Sequence, residues 1–95
     1  MIYMRKVTRK TTEAFLCGGK IRIGNTYTDG ESLFLYGHRI AWKDGGGGIW
    51  VNSCGYLTRT TFDRLNSIPG VRVWKSKGET YLNAEPWDGS PKKVR

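Results

Sequence analysis

The densest apolar positions fall in the middle of the chain. Leu33-Phe34-Leu35-Tyr36 and Arg39-Ile40-Ala41-Trp42 are separated by Gly37-His38, and two such runs around a glycine-containing break read as a tight β-hairpin. Leu33 and Leu35 alternate with Phe34 and Tyr36, so both faces of this strand are apolar, as in a central strand. Strict alternation puts Ile40 and Trp42 on one face of the returning strand. A third run, Ile49-Trp50-Val51, follows Gly45–Gly48, whose four glycines read as a mobile hairpin tip with little conformational preference.

The periodicity changes after Asn52-Ser53. Phe62, Leu65 and Ile68 recur at helical spacing, Thr60 and Asp63 have capping-box spacing, and Pro69-Gly70 stops the segment, which predicts a helix over about 58–68. Upstream, residues 1–12 read as an edge strand or a loose arm, and Glu13–Cys17 as a short apolar patch ended by Gly18-Gly19. Lys20-Ile21-Arg22-Ile23 alternates as a half-buried strand with its cations outward, and Thr26-Tyr27-Thr28 continues the sheet before the Asp29-Gly30 turn. Downstream, Val71–Trp74 and Thr80–Leu82 form a hairpin around a basic tip. The expected class is α+β: a small antiparallel meander with one α-helix and a C-terminal β-hairpin. The domain spans 1–90, with a basic N-terminal segment, and 91–95 form a flexible basic tail. The expected core is Leu33, Leu35, Ile40, Trp42, Ile49 and Val51, covered by Phe62 and Leu65.

Charge adds a direction. The 95 residues carry sixteen Lys and Arg against eight Asp and Glu, a net +8. The excess is uneven: residues 1–24 hold six cations to one anion, residues 92–95 hold three cations, and the stretch between them is neutral. Such a balance favours anionic partners, nucleic acid above all. No apolar run approaches membrane-spanning length and the N-terminus lacks a secretory pattern, so no membrane partner is expected and Cys17 and Cys54 are expected as free thiols. His38, Cys17 and Cys54 have no chelating spacing, and no pair of acids stands out as a general acid and base. Neither glycine tract has the phosphate-loop sequence leading into a helix. The expectation is a protein without enzyme activity, metal or cofactor.

The aromatics remain. One helix cannot cover both faces of this sheet, which leaves an aromatic patch exposed, and such a patch marks a binding surface. Aromatics on a basic sheet suit stacking with unpaired bases and suit a protein interface equally. The expected contact residues for nucleic acid or a protein partner are Arg5, Lys6, Arg9, Lys10, Lys20 and Arg22 near the N-terminus, Trp50 in the sheet, and Arg59 and Arg64 on the helix.

Leu33-x-Leu35-Tyr36-Gly37-His38-x-Ile40-Ala41, then Gly55-Tyr56-x-Thr58-x-Thr60-Thr61-x-x-Arg64-Leu65-Asn66, and a closing Trp74-to-Tyr81 hairpin resemble a group of small tailed-bacteriophage proteins over residues 24–83. The resemblance implies a phage origin and the bacterial host cytoplasm, and transfers no catalytic residue. Two functions lead, ahead of a small enzyme, for which no constellation is found, and a minor virion component. One is an accessory protein that binds nucleic acid or a host nucleic-acid-processing complex. The other is a protein-targeted inhibitor of a host defence system, of the anti-CRISPR type or another counter-defence factor.

Overall fold

The first segment is neither arm nor strand. In the computed structural model, which describes residues 2–94 and their side chains from Thr8 onward, helix α1 spans Ile2–Cys17. Among its described side chains the buried positions are Thr8, Thr11, Thr12 and Phe15, spaced i, i+3, i+4 and i+7, one helical stripe on which three of the four are threonines. A hydrophobic-periodicity reading passes over such a face because threonine is polar and a modest helix former. Here the hydroxyls have partners. Thr8 donates to the Asp63 carboxylate and Thr12 shares a hydrogen bond with Ser67, one turn apart on both helices. Gly18, left-handed at φ +81°, ends the helix, and the Gly19 N–H donates to Ala14 O at 2.8 Å. Lys43 Nζ caps the negative end, donating to Leu16 O at 3.3 Å.

Six strands follow in an antiparallel sheet of order β1-β2-β3-β4-β5-β9. They are β1 (Ile21–Ile23), β2 (Thr26–Thr28), β3 (Ser32–Leu35), β4 (His38–Lys43), β5 (Ile49–Val51) and β9 (Lys92–Lys93). The β3–β4 turn is Tyr36-Gly37, with His38 already paired to Leu35. Both turn residues are left-handed, at φ +52° and +80°, the conformation that matches strand twist in a two-residue hairpin. At Gly30 the chain passes so close to α1 that a Cβ would lie 2.5 Å from Gly18 O.

A bulge in β4 decides which side chains face inward. Leu33 pairs with Ala41 but Phe34 with Arg39, leaving Ile40 as the extra residue. Alternation shifts by one, so Ile40 and Ala41 are both buried and Trp42 turns to the opposite face. Trp42 is therefore not core. Leu33, Leu35, Ile40, Ile49, Val51 and Leu65 are buried as expected, joined by Phe15, Ile68, Val71, Val73, Leu82 and Trp87, while Phe62 packs half-buried against them.

Helix α2 spans Arg59–Asn66, within the expected range, but its cap is Thr58, whose hydroxyl accepts from the Thr61 N–H, and not Thr60. With α1 it makes two helices where one was expected. The C-terminal hairpin, β6 (Val73–Ser76) and β7 (Glu79–Leu82), gains a third strand, β8 (Glu85–Pro86). Within the expected tail, Lys92 and Lys93 are not loose but form β9. Lys92 and Lys93 pair with Val51 and Trp50, and Lys92 Nζ meets Glu85 Oε1 at 2.8 Å. No described helix is long and apolar enough to cross a membrane.

Candidate nucleic-acid interface

Both helices pack on the sheet face that carries Leu33, Ala41 and Val51. The alternate positions form the other face, and cross-strand register lines them up. Arg22 pairs with Tyr27, Tyr27 with Phe34 and Phe34 with Arg39; Trp42 pairs with Trp50, and Trp50 with Lys93. The four rings are half-buried, stand outside the core cluster, and are flanked by exposed Arg22, Arg39 and Lys93.

The rings form two stacks. Tyr27 and Phe34 lie 4.5 Å apart at 7°, with the Arg22 guanidinium 4.6 Å from the Tyr27 ring centre. Trp42 and Trp50 lie 6.1 Å apart at 8°, with the Arg39 guanidinium 4.3 Å from the Trp42 ring. Near-parallel planes on neighbouring strands, with Tyr27 and Phe34 spaced near the ~4.8 Å strand separation, mean that the rings of that stack stand on edge. Each guanidinium covers one end of a stack and keeps its N–H groups for another partner. Six strands span about 24 Å, giving a cation–aromatic band across the whole sheet.

Asp44 fixes one end of that band. Its carboxylate accepts from the N–H groups of Gly46 (2.9 Å) and Gly48 (2.7 Å) and from the Trp50 indole N–H (3.0 Å), and it pairs with Lys93 Nζ at 3.4 Å. The glycine tract is thus wrapped around a carboxylate, a specific loop and not the featureless tip expected from four glycines. The Gly48 N–H first, then the Trp50 indole, hold the Asp44 pKa down at about 2, against an ordinary 3.8. A depressed carboxylate contributes its stabilisation above the ordinary pKa and loses it as pH falls through the folded value. The Trp50 indole N–H resonance is therefore expected to titrate with a midpoint near 2, and the titration to vanish in Asp44→Ala. A midpoint near 3.8 would mean that Asp44 does not hold the ring.

The expected contact residues divide between locations. Arg22 and Trp50 are in the band. Lys20 is exposed immediately before β1. Arg9 and Lys10 are exposed on α1, which packs on the other face of the sheet, and Arg9 faces Glu13 at 3.7 Å. Arg59 is exposed at the start of α2. The side chains of Arg5 and Lys6 lie outside the described residues. Arg64 is not a surface cation: it is 2% exposed, and its guanidinium is committed to Thr26, Thr8, Asp63 and Asn25. The band also contains Tyr27, Phe34, Arg39, Trp42 and Lys93, which sequence reasoning did not select. Strand alternation could have found Tyr27 and Phe34 beside Arg22, but Trp42 depends on the bulge and Lys93 on a pairing with no local signal.

Both cysteines are free, Cys17 exposed and Cys54 half-buried. Burial pushes the Cys54 thiol pKa up, and its Sγ lies 3.1 Å from Arg39 O as a donor, which disfavours the nucleophilic thiolate.

No curated protein and no solved structure matches the chain. A family model described as Kyanoviridae Gp96 protein matches residues 4–92. That match covers nearly all of the chain, from within α1 to Lys92, and takes in all four rings of the band, so this protein is a member of the Kyanoviridae Gp96 family of phage proteins.

Proposed function

We propose that the protein is a non-enzymatic phage accessory factor that binds single-stranded nucleic acid, free or within a host nucleoprotein complex, across the outer face of its six-stranded sheet, and that it acts in the host cytoplasm. The observation that carries this reading is the band itself: two ring stacks, each ended by a guanidinium, on a sheet face that neither helix covers. Phosphates are attracted by Arg22, Arg39 and Lys93, with Lys20 beside β1. A base laid over rings that stand on edge meets them edge-to-face, an arrangement that aromatic quadrupoles favour. Neither contact reads base identity, which suits a sequence-tolerant binder.

The test is fluorescence anisotropy with short single- and double-stranded oligonucleotides at two salt concentrations. Micromolar or tighter binding to single strands, weakening steeply with salt, supports the reading. Absence of binding at low salt would transfer the same face to a protein target, the counter-defence alternative, because upright aromatics flanked by arginines also suit a protein interface.

A further inference from the structure

A second feature lies around the end of the β3–β4 hairpin. A cleft of about 350 Å³ opens between the hairpin and the start of α2, within the size range of small-ligand sites. Its apolar wall is Leu35 and Ile40, and Tyr36, His38 and Tyr56 supply its rings. Tyr36 and Tyr56 are 67% and 52% exposed, far more than rings that serve packing. His38 and Tyr56 lie 5.1 Å apart at 41°, a tilted pair that is not closed face to face. Tyr36 is held in the left-handed region at φ +52°, where a bulky side chain is strained, and Cys54, two residues before Tyr56, has φ +55°. Among the described residues, no acid, lysine or arginine lines the cleft.

The polar groups sort into used and unused. Ser53 donates to Gly89 O and accepts from the Gly55 N–H, and Thr58 and Thr61 are occupied in the cap of α2. The Thr60 hydroxyl, the two phenols and the His38 imidazole have no hydrogen bond to another described residue. The site thus offers ring faces, an apolar wall and neutral groups that can donate or accept, with no fixed charge. Its complement is a flat, neutral, hydrogen-bonding heterocycle.

Resting on the single-strand reading above, we infer that this cleft takes one unpaired nucleobase, stacked on Tyr56 and contacted by Tyr36, His38 and Thr60. The cleft shares a hairpin with the band: Leu35↔His38 at the cleft and Phe34↔Arg39 on the band are successive pairs and point to opposite faces of the sheet, so a strand that reaches both rounds the hairpin end. The same chemistry could arrive as a free nucleoside or as a base of a strand, and the experiment separates the two.

Nucleoside and a short single-stranded oligonucleotide are titrated in parallel, following the ring protons of Tyr36, His38 and Tyr56 by NMR. Expected are saturable upfield shifts of the cleft rings with at least one of adenosine, guanosine, cytidine and uridine, unchanged in Trp50→Ala and lost in Tyr56→Ala. Because Tyr56 is exposed, that variant keeps its fold, and Tyr56→Phe restores the shifts. With the oligonucleotide, Tyr56→Ala lowers affinity about 5- to 150-fold, the range for losing one stacked base. Oligonucleotide binding that leaves the cleft rings unmoved, with no nucleoside response, overturns the cleft and leaves the band standing. Nucleoside shifts without oligonucleotide binding support the cleft as a site for free nucleosides and overturn the single-strand reading. Shifts that persist in Tyr56→Ala place the base elsewhere and overturn the inference.

Discussion

Asp63→Ala is expected to destabilise the fold by about 3–5 kcal/mol, because it leaves the Arg64 guanidinium buried without its counter-charge. Arg64 Nη1 meets Asp63 Oδ2 at 2.7 Å and Thr8 Oγ1 at 2.7 Å, Nε donates to Thr26 Oγ1 at 2.9 Å, and Nη2 to Asn25 Oδ1 at 3.3 Å. One fork thus joins α1, α2 and the β1–β2 turn. Asp63 retains 33% side-chain exposure, so water relieves part of the loss and the lower end of the range is expected. Arg64→Ala should be comparably damaging, since it removes one donor from each of four acceptors, leaves the Asp63 carboxylate without its counter-charge, and opens a void among buried groups. Against a total stability of about 5–15 kcal/mol, either loss is large. Urea denaturation followed by circular dichroism measures both. Surface substitutions usually stay within about 0.5 kcal/mol, so a loss that small for Arg64→Ala would return this residue to the surface and reopen it as a phosphate contact.

Neutralising Arg22, Arg39 and Lys93 together should lower single-strand affinity about 100-fold at 0.1 M salt. Each phosphate contact on a single strand contributes about −0.7 to the log–log salt slope, so three contacts account for about −2. The loss should shrink as salt rises, because the missing term is counterion release. Trp50→Ala should act differently, weakening binding about 2- to 10-fold with the slope unchanged, since an edge-to-face aromatic contact carries no charge. Neutralising Arg9 and Lys10 supplies the contrast: they stand on α1, on the other side of the sheet, and a strand lying on the band does not meet them. If the α1 variant flattens the slope and the band variant does not, the binding face is the helix and the proposal fails.

The middle of the chain was legible because local rules governed it. The runs around Leu33, Ile40 and Ile49 have strand periodicity, and Phe62, Leu65 and Ile68 with Pro69-Gly70 mark a helix close to where α2 lies. Much of the candidate site was half-visible: apolar residues on both faces of β3 required that one face remain open, and Arg22 and Trp50 both stand on it. The errors at the two ends of the chain share one cause, contacts between residues distant in sequence. Thr8 and Thr12 read as part of an edge strand or loose arm until Asp63 and Ser67 supply partners across more than fifty residues. Lys92 and Lys93 read as tail until β5 offers an unpaired edge.

From its sequence alone, this protein is a small basic α+β chain whose apolar spacing specifies a β-meander followed by a helix, and whose aromatics exceed what one covering helix can bury. Tertiary structure decided which aromatics those are. A single extra residue at Ile40 turned Trp42 out of the core and onto Trp50, because a strand has a period of two and a shift of one reverses its faces. Burial likewise divided the cations: Arg64 went inward because Asp63, Thr8, Thr26 and Asn25 converge on its guanidinium. Arg39 stayed outside because the ring of Trp42, three residues on, gave it a surface to lie against at the edge of water.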